Sequence, residues 1–370
     1  MRAFAVTLIV CLAATASATA DPPPSLFGIN TGTFDNDYAR FVRDMPTAKA
    51  LGARWIHLTG ANIKFPHGRL SFKQLDSQVN RARRLHLGVL VSLGGIRGAC
   101  SVRPRPADVT TCPPTTAHDL KVYAAYLKRL LRHYRGRVQY FEGWVEPNQR
   151  SSWPPYPNAA QYARLLRTEY RVIRRFRGDR LIIGGLNSFG SADGSPNSVA
   201  VLVFLHDVLA SLHGARAFDI VGLHPYRYPP VGPDSLNWDR VPTAYPASGC
   251  ATHPWCQMTW TGELTATEQE LANDGYGRPP MWLTEFGWPG TTGPNTDGYH
   301  PSEQQQADNL RRAYQIIQSL PFIRAAFWFN LRDYNPRTPN PDPEFFGHYG
   351  LLHDDFSAKP AASVFRQLAG

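Results

Sequence analysis

The sequence predicts an α/β fold built as a single (β/α)8 TIM barrel with long βα loops, and three observations lead to this prediction. Short apolar segments alternate with amphipathic segments of helical period from residue 26 onward in the 370-residue chain. Eight such pairs are typical of a closed parallel barrel. The segments that follow the predicted strands are long and rich in Pro, Gly and Trp, whereas those that precede the strands are short. An open doubly wound sheet shares this alternation, but no glycine-rich phosphate-binding segment follows the first strand.

Each predicted element has its own local signal. The strands are short apolar or aromatic runs, and the helices carry apolar residues at helical spacing, with Thr115 or Thr116 and Ser302 as candidate N-caps. The predicted strands are Leu26–Asn30, Arg54–Leu58, Gly88–Leu93, Val138–Trp144, Leu181–Leu186, Phe218–Leu223, Pro280–Glu285 and Ile323–Phe329. The predicted helices include Thr116–Tyr134, Asn158–Phe176, Ser198–His213, Glu263–Asn273, Pro301–Leu320 and Pro360–Leu368.

The first 20 residues have the pattern of a secretory signal peptide. Arg2 supplies a positive charge, Ala3–Leu12 is apolar apart from Thr7, and Ala18-Thr19-Ala20 matches an A-x-A cleavage site. We therefore expect cleavage after Ala20 and a secreted protein in which residues 21–370 form one domain. No later run in the sequence is long and apolar enough to predict a membrane span.

Four of the five cysteines lie beyond the predicted signal peptide. An even number of cysteines in an exported protein suggests disulfides. Pairing by proximity gives Cys100–Cys112 and Cys250–Cys256, which is one of three possible connectivities. The cysteine spacings match no zinc pattern, and we predict neither a metal site nor a cofactor.

The formal net charge is +10. The basic residues are scattered over predicted helical faces, so we interpret them mainly as solvated surface; attraction to an anionic glycan or to the cell envelope is the alternative. No recognised nucleic-acid-binding motif accompanies the charge, and we expect no nucleic-acid partner. We expect a monomer.

Two glutamates stand at the ends of predicted strands. Glu146 follows the fourth strand and Glu285 ends the seventh, and each lies in an aromatic-rich segment. A carboxylate is costly to bury without a partner, but at the C-terminal end of a barrel strand it points into the cleft. Two carboxyl groups that face each other across a cleft can cleave a glycosidic bond.

Segments at four strand ends resemble clan A of the glycoside hydrolases, especially families 39 and 5. The resemblance extends over most of the chain, but its specific residues are concentrated in these segments. The segments are Phe141–Asn148, Asp219–Tyr226, Trp282–Trp288 and Ala326–Phe329.

The resemblance implies a role for several residues. Glu146 would be the general acid/base and Glu285 the nucleophile. His224 and Tyr226 would line the reacting subsite and orient the nucleophile, and Trp328 would form a platform under the sugar. Further candidates for substrate binding are the aromatic and amide side chains Trp144, Asn148, Asn187 and Trp288.

The sequence departs from the clan pattern at two positions. Val145 stands where the clan has an Asn that binds the sugar 2-hydroxyl, and His57 lies near the usual position of an Arg. Either another group such as Asn187 replaces the missing amide, or the substrate differs at C2 or is a furanose.

These observations predict a secreted retaining glycosidase that acts on an oligo- or polysaccharide. The positive net charge of the protein is compatible with an anionic substrate. Two alternatives stay open. A non-catalytic carbohydrate-binding barrel is compatible with the fold and with Val145. A transglycosylase would use the same two glutamates with a sugar, rather than water, as the acceptor.

Overall fold

The computed structural model describes residues 26–31, 38–59, 71–93, 113–188, 197–227, 230–236, 258–292, 300–334 and 347–370. The predicted signal peptide and all four cysteines of the predicted disulfides lie outside these residues, so both predictions stay predictions.

Within these described residues, a single parallel sheet forms the centre of the fold. Its nine strands run in the order β5-β4-β3-β2-β1-β9-β8-β7-β6, and every pair is parallel. A parallel bridge between Ile182 and Ile220 brings the two ends of the sheet together, and the Ile183 N–H donates to the Ile220 carbonyl at 2.9 Å. The strands are β1 Phe27–Asn30, β2 Trp55–Thr59, β3 Gly88–Ser92, β4 Tyr140–Glu142, β5 Arg180–Ile182, β6 Leu186–Asn187, β7 Val221–His224, β8 Met281–Phe286 and β9 Ile323–Trp328. The predicted TIM-barrel fold is confirmed.

The fifth predicted strand is divided into β5 and β6. Between them, Gly184 and Gly185 approach their neighbours so closely that a Cβ on Gly184 would collide with the Trp144 carbonyl, and one on Gly185 with the His224 ring. Close approach of this kind requires glycine. The interruption therefore brings this part of the barrel wall against the residues that follow β4.

Helices follow most of the strands and cover the outside of the sheet. The Thr116 hydroxyl accepts from the Asp119 N–H at 3.1 Å, and Ser302 forms a capping box with Gln305, as the sequence suggested. Helices α1 and α2 were not among the predicted set; α1 contains Pro46, which breaks the pattern expected of a helix interior. The helices are α1 Tyr38–Ala50, α2 Lys73–Arg84, α3 Ala117–Tyr134, α4 Ala159–Ile173, α5 Val201–Leu212, α6 Trp260–Asn273, α7 Glu303–Ser319 and α8 Pro360–Ala369. Among the described residues, no helix combines the length and apolarity that a membrane span requires.

Alternate residues of each strand face two different environments. One set packs inside the barrel and the other packs against the helices. The inner cluster consists of Leu90, Ile182, Ile220, Trp282, Ala325 and Phe327, with Trp55 and Tyr140 against it. Because the inner cluster fills the middle of the barrel, polar side chains at the C-terminal ends of the same strands lie above an apolar floor.

Candidate active site

Glu146 occupies an unusual backbone position just after β4. Its φ is +50°, in the left-handed region that residues other than glycine rarely adopt. The Glu146 N–H donates to the Gly185 carbonyl at 3.1 Å, and the Asn187 amide donates to Glu146 Oε1 at 2.7 Å. The divided strand β5–β6 thus holds both the backbone and the side chain of Glu146.

A β-bulge places Glu285 at the same end of the barrel. Leu283 pairs with Ala326 and Phe286 with Trp328, so β8 has one residue more than β9 over this interval. A bulge of this type changes the direction of the side chains around it. Glu285 therefore projects towards the mouth, where Tyr226 donates its hydroxyl to Glu285 Oε2 at 3.0 Å.

The two predicted catalytic carboxyl groups lie close together. One carboxylate oxygen of Glu146, one of Glu285 and a ring nitrogen of His224 lie within 4.8 Å of one another. A retaining glycosidase requires a carboxyl separation of about 5–5.5 Å, whereas an inverting enzyme needs about 6.5–9.5 Å to admit a water. The spacing fits the retaining mechanism.

His224 lies between the two carboxyl groups. Its Nδ1 is 2.9 Å from Glu146 Oε1 and 3.7 Å from Glu285 Oε2. Burial alone would lower the pKa of His224, but the charges of Glu285, Glu146 and Glu142 outweigh burial and raise the pKa to about 9. The imidazole is therefore protonated at neutral pH and donates to Glu146.

Burial dominates the ionisation of Glu285. It raises the pKa of this carboxyl above its ordinary value, while the positive charges of His224 and His57 oppose the rise. The two histidines therefore favour the ionised form of Glu285.

A third carboxylate lies below this pair. Glu142, at the end of β4, is fully buried and accepts from the Gly185 N–H at 3.0 Å. His57 Nε2 is 3.1 Å from Glu142 Oε2, and both side chains are buried. His57 thus has a charged partner at the position where the sequence departs from the clan pattern.

The aromatic side chain at the mouth is Phe329 rather than Trp328. Phe329 packs with Tyr226 and Tyr349, whereas Trp328 is fully buried against Phe286 and donates its indole N–H to the Tyr349 carbonyl at 3.1 Å. The reason is the two-residue period of a strand: Phe327 and Phe329 face inward, and Trp328 faces the helices. The expectation that Trp328 forms a platform under the sugar is therefore wrong.

Trp144 and Trp288 also lie away from the cleft. Each is 1% exposed, and their indole N–H groups donate to the carbonyls of Ser152 and Val231, at 3.0 and 2.7 Å. Both belong to the large cluster between the strands and the helices. Their expected contact with substrate is corrected to a packing role.

Asn148 is a structural clamp. It is fully buried, its amide donates to the carbonyls of Asn187 and Val199, and its carbonyl oxygen accepts from the Asn187 N–H at 3.0 Å. Because these bonds use both ends of the amide, Asn148 does not reach substrate as expected. It instead fixes Asn187, whose side chain contacts Glu146.

Two groups of described side chains bring three potential ligand atoms together. The first is Glu146, His224 and Glu285, whose hydrogen bonds are accounted for above. The second contains His206 of α5, which is 2.8 Å from Glu270 and 3.3 Å from Asp274. We interpret this second group, in which His206 is exposed and the two carboxylates are half-buried, as an ion-pair cluster that joins two helices.

Solved glycoside hydrolases share this architecture. A family 39 glycoside hydrolase from the gut symbiont Bacteroides cellulosilyticus WH2 is similar at 24% identity and a TM-score of 0.62, over 92% of this chain and 62% of that one. GH5_18 from Streptomyces cattleya, solved in complex with GlcNAc, is 18% identical with a TM-score of 0.63, over 93% and 79%. A monomeric beta-xylosidase from Caulobacter crescentus CB15 is 17% identical with a TM-score of 0.59, over 94% and 69%.

The chain has the fold of these glycoside hydrolases. The expected resemblance to families 39 and 5 is thus confirmed in the fold, although the chain spans only 62% of the length of the family 39 structure. No protein-family model matches the chain, and a comparison with curated proteins gave no match. The chemistry of the site is therefore argued from its geometry.

Sequence reasoning missed two parts of this site. It gave no role to Glu142, although an acidic residue at the end of an apolar strand was a visible signal. It also missed Phe329 and Tyr349, because the direction of a side chain depends on the register of β9 and on a loop that returns to the mouth.

Proposed function

We propose that this protein is a secreted retaining glycosidase that hydrolyses O-glycosidic bonds of an oligo- or polysaccharide. The observation that carries the proposal is the spacing of Glu146 and Glu285, whose oxygens lie within 4.8 Å at the C-terminal end of the barrel. The fold shared with glycoside hydrolases of families 39 and 5 supports it.

Glu285 is the proposed nucleophile. Its carboxylate attacks the anomeric carbon, forming a covalent bond to the sugar as the bond to the leaving oxygen breaks. Tyr226 holds Glu285 Oε2 in position by its hydroxyl, 3.0 Å away. The His224 imidazolium stabilises the ionised carboxyl group before the attack.

Glu146 is the proposed general acid/base. Its Oε1 accepts from both Asn187 and His224, so the proton for the leaving group belongs on Oε2. After the leaving group departs, the same carboxylate takes a proton from water, which attacks the anomeric carbon and releases Glu285. Two displacements restore the original anomeric configuration.

The geometry favours catalysis over simple carbohydrate binding. A binding protein has no need for two carboxyl groups at the retaining distance with an imidazolium between them. A transglycosylase would use the same covalent intermediate with a sugar acceptor. One similar structure was solved with GlcNAc and another is described as a beta-xylosidase. Both guide the choice of test substrates.

The stereochemistry of the reaction tests this function. The protein is incubated with aryl β-xylosides, β-glucosides, β-mannosides and β-N-acetylglucosaminides, and the first anomer released is identified by proton NMR before mutarotation. We expect a β-anomeric product from the accepted substrate, and the Glu285→Gln variant as control should give none. Release of the α-anomer would contradict the proposal.

Expression with the native N-terminus should give a mature protein that begins at Asp21.

A further inference from the structure

Glu142 has no part in the two displacements described above, although it lies directly beneath them. It is fully buried at the end of β4, where the Gly185 N–H donates to its Oε1. An unpaired carboxylate would be costly in this position. The side chains around Glu142 compensate for its burial, and they are also the groups on which its negative charge acts.

His57 is the first partner of Glu142. Its ring is 5% exposed, with Nε2 3.1 Å from Glu142 Oε2 and Nδ1 3.2 Å from the Thr284 carbonyl oxygen. The Glu142 carboxylate and the Thr284 carbonyl thus flank the two ring nitrogens of His57, although the geometry at Nε2 does not make a hydrogen bond. Burial alone would raise the pKa of Glu142, but His57 and then His224 outweigh burial and lower it.

His224 is the second partner. Its Nε2 is buried, forms no hydrogen bond in the structure and is 3.8 Å from Glu142 Oε1. The opposite nitrogen, Nδ1, contacts Glu146 and Glu285. A Cβ at Gly185 would collide with Nε2, so this glycine allows the ring to approach Glu142. The imidazole therefore lies between the buried carboxylate and the proposed catalytic pair.

We propose that Glu142 is a positioning residue that acts through His224, holding a protonated imidazole between Glu146 and Glu285. The inference rests on the function proposed above. Three carboxyl groups and two imidazoles share this buried site, where a positive charge on His224 offsets the negative charge of the carboxylates around it. The first displacement requires an ionised Glu285 beside a Glu146 that carries the proton for the leaving group, and the imidazolium of His224 favours the ionised form of Glu285.

Several groups face His224 from the elements packed around it. Glu142 approaches the ring from β4, Glu146 from the segment after β4 and Glu285 from β8. Tyr226 lies two residues after His224 on the same segment, and His57 contacts Glu142 rather than His224. Of the three carboxylates, Glu142 is the one that neither bonds to the substrate nor transfers a proton in the proposed mechanism. Its charge can therefore be changed with the proposed reacting groups left in place.

The test is a titration of His224 by NMR in protein labelled with ¹⁵N-histidine. The chain has 12 histidines, and the His224 resonance is assigned by its loss in His224→Gln. We expect the wild-type ring to stay protonated above pH 8. Glu142→Gln should weaken its proton affinity by about tenfold or more, which is about one pKa unit.

Two further variants separate charge from packing. His57→Gln removes the group that does most to keep Glu142 ionised, so the proton affinity of His224 should fall, as in Glu142→Gln. Glu169→Gln is the matched control, since Glu169 is a buried carboxyl group whose hydrogen bond goes to Tyr123. It should leave the His224 titration unchanged. A role of Glu142 in packing alone would leave the His224 titration unchanged in His57→Gln, where the Glu142 side chain is intact.

Kinetics provide the second readout. On an accepted glycoside, Glu142→Gln should lower kcat about tenfold near pH 8 with little change in KM, because it acts on the reacting groups rather than on binding. A wild-type His224 that titrates below pH 7, or an unchanged titration in Glu142→Gln, would overturn the inference. If Glu142→Gln does not fold, the wild-type and His57→Gln titrations decide. Because titration needs no turnover, a weakened His224 proton affinity in both variants without activity on any glycoside would support the coupling and count against the proposed function.

Discussion

Asn187 donates its side-chain amide to Glu146 Oε1 at 2.7 Å, and Asn148 holds the Asn187 backbone through two hydrogen bonds. The proposed acid/base is thus oriented by a side chain from β6, which is itself clamped by a residue two positions after Glu146. Asn148 is buried and does not reach the cleft, but through Asn187 it contributes to the orientation of Glu146.

Removal of the Asn187 amide should impair proton delivery. A hydrogen bond to a carboxyl group contributes about 1.5–3 kcal/mol, so Asn187→Ala should lower kcat about tenfold or more on alkyl glycosides. The loss should be smaller on nitrophenyl glycosides, whose leaving groups need little protonation. Asn273→Ala, at the exposed end of α6, is the control. An equal loss on both substrate types would show that Asn187 does not act through Glu146.

The two glutamates should respond differently to the same substitution. Glu285→Gln should abolish turnover of every glycoside, because no covalent intermediate forms. Glu146→Gln should lose about 10²–10⁴-fold on poor leaving groups and least on nitrophenyl glycosides. Added azide should partly restore the second variant by replacing water as the nucleophile. Matching leaving-group profiles for the two variants would refute the assigned roles.

Val145 leads to a prediction about substrate. This half-buried residue directly precedes Glu146 and has no amide for a sugar 2-hydroxyl. If no other group replaces that contact, the wild-type protein should turn over a substrate and its 2-deoxy analogue at similar rates. A lost neutral hydrogen bond of about 0.5–1.5 kcal/mol corresponds to about 2–12-fold in rate.

The outcome for Val145 can be checked in a variant. Val145→Asn should raise turnover of simple β-glycosides relative to their 2-deoxy analogues. A strong preference of the unmodified protein for the 2-hydroxyl would instead indicate another donor, of which Asn187 and His57 are the first candidates.

Glu169 predicts a specific dependence of stability on pH. Burial raises its pKa from about 4.5 to about 8, even though a hydrogen bond from Tyr123 opposes the rise. Between these values the folded state binds a proton that the unfolded state releases, so the free energy of unfolding falls as pH rises. The expected slope is at most about 1.4 kcal/mol per pH unit.

Denaturant unfolding of wild type and Glu169→Gln between pH 5 and pH 8 measures this effect. Glutamine is neutral throughout and can still accept from Tyr123, so the variant should gain stability relative to wild type as pH rises. A constant difference across the range would show that Glu169 has an ordinary pKa in the folded protein.

The barrel and the two glutamates could be predicted from sequence because both depend on local signals. Apolar runs, turn residues and an acidic residue at a strand end are visible without tertiary structure. The side chains around the glutamates were harder to assign. Trp328 and Phe329 are neighbours, and only the register of β9 decides which one faces inward.

Long-range contacts account for the other differences. The bulge that directs Glu285 towards the mouth is defined by pairing with β9, which the β8 sequence does not show. Asn148 looked like a substrate ligand until its partners on β6 and before α5 were known. The same holds for the His57–Glu142 pair, whose members are 85 residues apart in the chain.

The most direct test of the central claim is to trap the covalent intermediate. Fluorine at C2 of an aryl β-glycoside slows both displacements, and a good leaving group lets the intermediate accumulate. Intact-protein mass spectrometry followed by peptide mapping identifies the modified residue. The account predicts one added glycosyl group, attached to Glu285 and absent from Glu285→Gln. A glycosyl group attached to any other residue, or steady turnover of the parent glycoside with no adduct from its fluorinated analogue, would contradict it.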